Sequence, residues 1–300
     1  MSMEPELGAR TLVIASDLDR TLIYSMAACR LGDLPLPVVD CVEFLDGEPL
    51  SFLTRAAGRD LAWLSEEVVF VPTTTRTVAQ LARVALPGRP ARYAVAANGG
   101  HIVVDGVPDA SWSKAVTETL ARTAAPIDEV WQWLERACEP AWTVKLRRAD
   151  DLFCYAVIER AAMPSVFLDE VSAWCLDRGW RTSLQGRKLY FVPAFLTKSA
   201  AVQEVCRRVG ATGFAAAGDS LLDAELLAAA VTGIRPAHGE LADLGWSAEH
   251  VSVTTVAGVT AGAEIAAWLR QVARGKGIRL PVAEGPIGKD SVIDQLPVTG

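Results

Sequence analysis

The sequence is poor in histidine, in excess positive charge and in long apolar runs. Its three histidines, His101, His238 and His250, are too scattered for a His-rich zinc centre. No apolar stretch approaches the roughly 18–20 residues that cross a bilayer, and the start at Met1, Ser2, Met3 and Glu4 lacks a charged-then-apolar signal pattern. A cytoplasmic chain with no membrane partner is therefore expected. Lys and Arg number 29 against 36 Asp and Glu, a net charge of −7, which argues against a nucleic-acid partner held by phosphate contacts. That balance still permits an anionic ligand at a local site. The six cysteines contain no C-x-x-C pair, and in a chain this long they are expected as reduced, buried thiols. With 51% apolar and 22% charged residues, most of the chain must fold, and 300 residues suffice for one large α/β domain or two ordinary ones.

Short apolar runs that end in polar residues organise the chain. Residues 11–15 end at Ser16 and Asp17, residues 68–71 at Pro72 and Thr73, and residues 93–97 at Asn98 and Gly99. Each predicts a strand buried on both faces, and the helical or irregular segments between them point to a parallel sheet. Residues 38–53 alternate around Asp46-Gly47 and predict a hairpin. A helix is expected over 54–67. From about 110 the pattern changes to a helix over 113–138 broken near Pro126, strands at 142–148 and 152–159, a helix over 165–178, and strands at 180–185 and 188–192. That order is an α+β unit with an antiparallel sheet. The first pattern resumes with a helix over 198–209, a strand ending at Gly218-Asp219, and helices over 221–230 and 261–274. The fold class expected is α/β, a Rossmann-like parallel-sheet core with an inserted α+β cap. The core is assigned to 1–108 and 195–280, the cap to 109–194, and a mobile C-terminal tail to 281–300. Five of the nine tryptophans fall in 112–174 and are read as packing.

Acidic residues stand where such a sheet binds ligands, at the carboxyl ends of strands. Asp17 and Asp19 follow the first run. Asp219 and Asp223 follow a later one, four residues apart, so both fit one side of a helix's first turn. A helix cap explains Asp219 or Ser220 but does not by itself call for a second acid one turn later. Thr73, Thr74 and Thr75 end the second strand, and Lys198 opens the helix after the inserted block.

In this order the residues resemble the motifs of the haloacid dehalogenase (HAD) superfamily: Asp17-x-Asp19-x-Thr21, a Ser/Thr after the second strand, Lys198, and Gly218-Asp219-x-x-x-Asp223. The inserted block lies where that superfamily's type II caps lie. Its strand order is similar to the IIB subtype of Cof-like and sucrose-phosphate phosphatases. Asn98-Gly99-Gly100 resembles that branch's Asn-Gly turn, and Thr74-Thr75-Arg76 its Thr-Gly-Arg, with Thr75 in place of Gly. His238 stands where the branch often has Asn, and the 25–53 region is longer than usual, as a flap over the site would be.

The resemblance implies a Mg²⁺-dependent phosphatase of small phosphate esters, sugar phosphates foremost. Asp17 is then the nucleophile, Asp19 the acid and base, and Lys198 and Thr74 (or Thr73) the phosphoryl contacts. Asp17, the Asp19 carbonyl and Asp219 are the metal ligands, with Asp223 a direct or outer one. Thr75, Arg76 and Asn98 join Thr73 on the substrate side, and Lys145, Arg187 or Lys188 is the expected cap contact. Asp19 argues against a dehalogenase, which lacks it. Hydrolysis of a nucleotide or cofactor phosphate and a non-catalytic binding module are the alternatives.

Overall fold

Residues 11–32 and 34–275 are described by a computed structural model of the chain; the tail expected at 281–300 lies outside them. The first apolar run forms β1 (Val13–Ser16), buried along its whole length. A one-turn helix α1 (Met26–Cys29) leads into the hairpin of β2 (Val39–Leu45) and β3 (Glu48–Thr54). Asp46 and Gly47 both take positive φ (54° and 84°), as the two-residue turn of a twisted hairpin requires. Thr54 caps α2 (Arg55–Glu67), accepting from Ala57 N at 3.0 Å. β4 (Val69–Pro72), the short α3 (Val78–Leu81), β5 (Tyr93–Ala96), β6 (His101–Val104) and β7 (Val107–Pro108) follow.

The inserted block opens with α4 (Ala110–Thr123) and α5 (Ile127–Ala137), parted at Pro126. Then come β8 (Thr143–Ala149), β9 (Phe153–Ile158), α6 (Phe167–Leu176), β10 (Trp180–Gln185) and β11 (Lys188–Pro193). The four strands pair antiparallel in the order β10-β11-β9-β8. Alternation sends Cys154, Ala156, Ile158, Leu189 and Phe191 to one face, where they pack with Val130, Leu134, Val171 and Cys175 of the helices. Trp142 and Trp180 are buried in the same core, in keeping with a packing role.

The chain returns through α7 (Lys198–Val209), β12 (Phe214–Ala217), α8 (Leu221–Ala229), β13 (Thr232–Arg235), α9 (Glu240–Asp243), β14 (Val251–Val253) and α10 (Val259–Ala273). A parallel sheet of order β14-β13-β12-β1-β4 results. Ile14 packs with α2 and α10 on one side, and Val13 and Ala15 pack with α7 and α8 on the other. This explains the unbroken apolar character of β1. All six cysteines are free thiols, five of them buried. No described helix is long and apolar enough to cross a membrane.

Two expectations need correction. β5 is not a full member of the parallel sheet: it touches that sheet through a single Thr73–Val95 bridge and pairs antiparallel with β6. The reason is the turn at 97–100, where Ala97, Asn98 and Gly99 take positive φ (50°, 55° and 101°) and reverse the chain onto β6; a second Asp-Gly turn, Asp105-Gly106 (φ 48° and 84°), then folds β6 back onto β7. The strands β13 and β14 extend the sheet with no apolar run of their own, and their neighbours supply the pairing.

Candidate active site

β12, β1 and β4 are adjacent and in register, with Ser16 opposite both Ala217 and Pro72. The residues that follow, Asp17, Gly218-Asp219 and Thr73, therefore leave the sheet side by side, about 4.8 Å apart between strands. Lys198 reaches Asp17 from the first residue of α7, with Nζ 2.6 Å from Asp17 Oδ1 and 2.6 Å from Asp223 Oδ1. Thr21 Oγ1 donates to the other Asp17 oxygen at 3.1 Å. The entry of α7 is fixed by the Asn98-Gly99 turn. Asn98, at φ 55°, donates from Nδ2 to Leu196 O at 2.7 Å. Gly99, at φ 101°, passes so close to Thr197 O that a Cβ would stand 2.1 Å from it. Asn98 is fully buried: its Nδ2 fixes the approach to Lys198, and its Oδ1 has no hydrogen-bond partner among the described residues.

Asp223 does two things at once. Its Oδ2 accepts from Asp219 N (3.2 Å), Ser220 N (3.0 Å) and Ser220 Oγ (2.7 Å), which closes a capping box at the start of α8. The second acid is thus the partner of the cap, contrary to the view that a cap does not call for it. Its Oδ1 is turned to Lys198, which makes Asp223 an outer member of the acid cluster. The Asp219 carboxylate receives no hydrogen bond among the described residues; the nearest cation is Arg20, with Nε at 3.5 Å. Gly239, at φ 95°, leaves the space beside it, since a Cβ there would meet Asp219 Oδ2 at 2.7 Å.

Asp17, Asp219 and Asp223 each offer one oxygen within 4.8 Å of the others, all of them buried. Burial is the main force raising Asp17 to about 7, and Asp223 and Asp19 add to it against the pull of Lys198. Burial, with Asp17 and Asp223 alongside, drives Asp219 well above the carboxylate range. Burial opposes the charge of Lys198, but Asp17 and Asp223 outweigh it and raise the ammonium above its usual value. Three carboxylates against one ammonium would leave two negative charges if all were ionised, and it is this uncompensated charge that burial turns into raised proton affinity. That oxygen-only donor set and charge fit a hard divalent cation such as Mg²⁺.

The threonine loop separates into distinct roles. Thr73 Oγ1 donates to Val71 O at 2.9 Å, which engages its proton within the loop. Thr74 Oγ1 accepts from Arg76 N at 3.1 Å, and its own proton has no acceptor among the described residues. Of these two threonines, Thr74 is therefore the one with a hydroxyl proton left to donate. Thr75 Oγ1 points at Tyr190 Oη of the inserted block, 3.4 Å away. Arg76 does not line the crevice as a free cation. It grips Asp19 through two bonds of 2.7 and 2.8 Å and reaches Glu43 at 2.8 Å and Ser51 at 3.2 Å in the hairpin. Burial would raise Asp19, but these bonds outweigh it and hold its carboxyl below the usual range. Glu43, fully buried, also pairs with Arg83 at 3.1 Å, so the 39–54 hairpin is tied to the site by charge. Glu43 and Ser51 carry no local sequence signal of this role; a lone acid within a hairpin strand reads as surface.

In the inserted sheet, cross-strand register places Lys145, Arg147, Tyr155, Ser183, Lys188 and Tyr190 on one face. This face meets the core. Ser183 Oγ and Leu184 N both bond Glu240 (2.6 and 2.7 Å), Arg181 pairs with Glu225 at 2.9 Å, and Tyr190 meets Thr75. Arg187 does not share that face. It is exposed and pairs with Glu159, because the β10–β11 turn directs it outward. Its expected role in substrate binding is thereby withdrawn. An apolar cavity of about 590 Å³ lies behind the threonine loop, lined by Leu61, Phe70, Leu81 and Leu86, and contains none of the acids.

No family model matches the chain, and no curated protein matches its sequence. Solved structures do. The sucrose-phosphatase of Synechocystis, solved with sucrose and phosphate, aligns over 87% of this chain and 98% of its own at 16% identity and TM-score 0.60. A HAD subclass IIB sugar phosphatase aligns over 87% and 99% at 12% identity and TM-score 0.53. The chain has the fold of a HAD phosphatase. The C-terminal domain of a C. albicans trehalose-6-phosphate phosphatase shares this HAD fold over 88% and 93% at 12% identity and TM-score 0.53.

Proposed function

We propose that the chain is a Mg²⁺-dependent phosphatase of small phosphorylated metabolites, sugar phosphates foremost, working through an aspartyl-phosphate, with residues 109–194 as its cap. The observation that carries this reading is the buried Asp17–Lys198–Asp223 cluster, with Asp219 beside it, at the carboxyl edge of the parallel sheet. The fold shared with sugar-phosphate phosphatases supports it.

Asp17 attacks the phosphorus; the Asp17 Oδ–P bond forms as the bond to the leaving oxygen breaks. Lys198 faces the nucleophile and offsets the charge of the transferring group, and Thr74 donates its unengaged hydroxyl proton to it. Asp19 hands a proton to the leaving oxygen, then takes one from the water that releases phosphate from Asp17. The Arg76 grip favours ionised Asp19, which suits the second role. For the first, the proton arrives with the monoanionic ester, whose second pKa is about 6. Asp17, Asp219 and the Asp19 carbonyl would hold Mg²⁺, with Asp223 behind them. When bound, the metal neutralises the repulsion between carboxylate and phosphate.

A nucleotide or cofactor phosphate is the second reading. It is favoured by Tyr155 and Tyr190, whose rings lie 5.5 Å apart on the face that meets the core. Phosphate release from sugar phosphates and nucleotides, with Mg²⁺ and with EDTA, tests both readings. Absence of metal-dependent release from every ester would reject the enzyme and leave a binding module.

A further inference from the structure

The cations in and beside the inserted sheet divide into those that have a carboxylate partner and those that have none. Arg148 pairs with Asp128 at 2.7 Å, Arg181 with Glu225 at 2.9 Å, and Arg187 at the β10–β11 turn with Glu159. Arg178, just before β10, pairs with Glu129 at 3.0 Å. Lys145, Arg147 and Lys188 are different: among the described residues none has a carboxylate within 4 Å. All three are exposed, and all three stand on the face that meets the core. Lys188 is opposite Val157, and Val157 is opposite Lys145, so the two lysines lie two strands apart, about 10 Å. Arg147 stands in the next row, opposite Tyr155.

Lys188 shares its strand face with Tyr190, whose Oη stands 3.4 Å from Thr75 Oγ1, and a Cβ on the nearby Gly186 would meet Arg20 Nη1 at 2.9 Å, so this end of the row borders the threonine loop and the acid cluster. Lys188 Nζ is 5.7 Å from the centre of the Tyr155 ring, which holds it over the crevice. Asp19 is held by two bonds from Arg76 and does not approach Lys188 within 4 Å. Three like charges on one sheet face repel one another. In a chain of net charge −7 that pairs the other cations of this sheet, Arg148 and Arg181, the unpaired trio marks a place for an external anion.

We infer that the substrate's leaving group is itself an anion, a carboxylate or a second phosphate, held by Lys188, Lys145 and Arg147 while Asp17 receives the phosphoryl group. This rests on the phosphatase reading and names its substrate class. Arg147 enters the specificity set and Arg187 leaves it.

Three aryl esters test it at low salt with Mg²⁺: phenyl phosphate, 4-carboxyphenyl phosphate and 1,4-phenylene bisphosphate. One charge-assisted contact should raise kcat/KM by about tenfold over phenyl phosphate for the ester carrying the matching anion. Which ester gains distinguishes carboxylate from phosphate. Substituting Met for Lys188, Lys145 and Arg147 together should bring that ratio toward one, and high salt should compress it in the unmodified protein. Arg187→Ala should leave the ratio intact. Turnover of phenyl phosphate with no gain for either anionic ester overturns the inference and spares the phosphatase reading. A gain that persists in the triple variant also overturns it, and turnover of none of the three overturns both.

Discussion

Without metal the protein should lose stability as pH rises from about 4 to about 7, and Mg²⁺ should restore it. The cause is the buried cluster, three carboxylates held against one ammonium. In the unfolded chain Asp17 and Asp219 release their protons near pH 4. In the native state burial holds Asp17 up to about 7 and Asp219 well above its usual value. Between those limits the folded protein binds more protons than the unfolded chain, so stability falls as pH rises; the contribution is complete below pH 4 and gone above the native values. Asp17 and Asp219 titrate as one coupled set, and each pH unit by which the set is raised corresponds to about 1.4 kcal/mol lost over that window. Lys198 is raised and titrates only in strong alkali, so it does not alter the slope. Asp19 is lowered, so its contribution is lost only in acid, below the window. The assay is thermal melting in EDTA and in saturating Mg²⁺ across this range. At one fixed Mg²⁺ concentration, 100 times the Kd at pH 7, the increment should be about 2.7 kcal/mol at that pH and smaller at lower pH, where protons must leave before the metal binds. Calorimetry in buffers of different ionisation enthalpy should register that proton release. Asp219→Asn should raise the metal-free melting temperature above pH 7 and abolish the Mg²⁺ shift. A metal-free melting temperature that is flat or rising over the window, or a Mg²⁺ increment independent of pH, refutes the reasoning.

Lys198→Met removes the only cation bonded to Asp17 and Asp223 among the described residues, so it should cost about 3–5 kcal/mol in metal-free urea unfolding as well as abolishing turnover. Asp17→Asn should eliminate phosphoryl or beryllium fluoride labelling, whereas Asp19→Asn should keep the label and slow its release; a label on another residue rejects the assignment. Glu240→Ala frees Ser183, the Leu184 N–H and the Leu221 N–H, and should raise KM more than it lowers kcat by loosening the contact between cap and core; an unchanged KM would mean this contact plays no part in closure. For an alkyl phosphate, kcat/KM should decline above about pH 6 as the ester loses the proton that Asp19 passes on, and a flat profile to pH 9 would show that the proton has another source.

What could be read from the chain depended on how local the cause was. β1, β4 and β12 are buried on both faces and had to be apolar, so their runs were visible, and so were the polar residues that end them. Thr54 and Thr197 mark the starts of α2 and α7 because a cap acts within one turn. β13 and β14 were not legible, since Thr232-Gly-Ile-Arg235 and Val251-Ser-Val253 owe their state to the strand beside them. β6 and β7 were legible in principle: Asp105-Gly106 carries the same hairpin signal as Asp46-Gly47, but the Asn-Gly-Gly turn before it looked like the end of the segment.

The site divides along the same line. Asp17, Asp19, Asp219 and Lys198 sit at ends of elements, where spacing alone brings them together. Glu43, Ser51 and Glu240 act across 25 to 57 residues of intervening chain, and a buried charge reveals itself only by the partner it finds. Arg187 and Lys188 show how narrow the margin is. They are adjacent in sequence and alike in charge, and the pleat of one strand sends Lys188 toward the crevice while the turn sends Arg187 to Glu159. The parity of β11 therefore decides which cation a substrate can meet. Leu189 and Phe191, buried in the cap core, pin that parity. Lys188→Gln should therefore bring the kcat/KM ratio of anionic to neutral leaving groups toward one, whereas Arg187→Gln should leave it unchanged, with the fold of both variants checked by circular dichroism. Equal loss at the two positions would show that the parity argument is wrong.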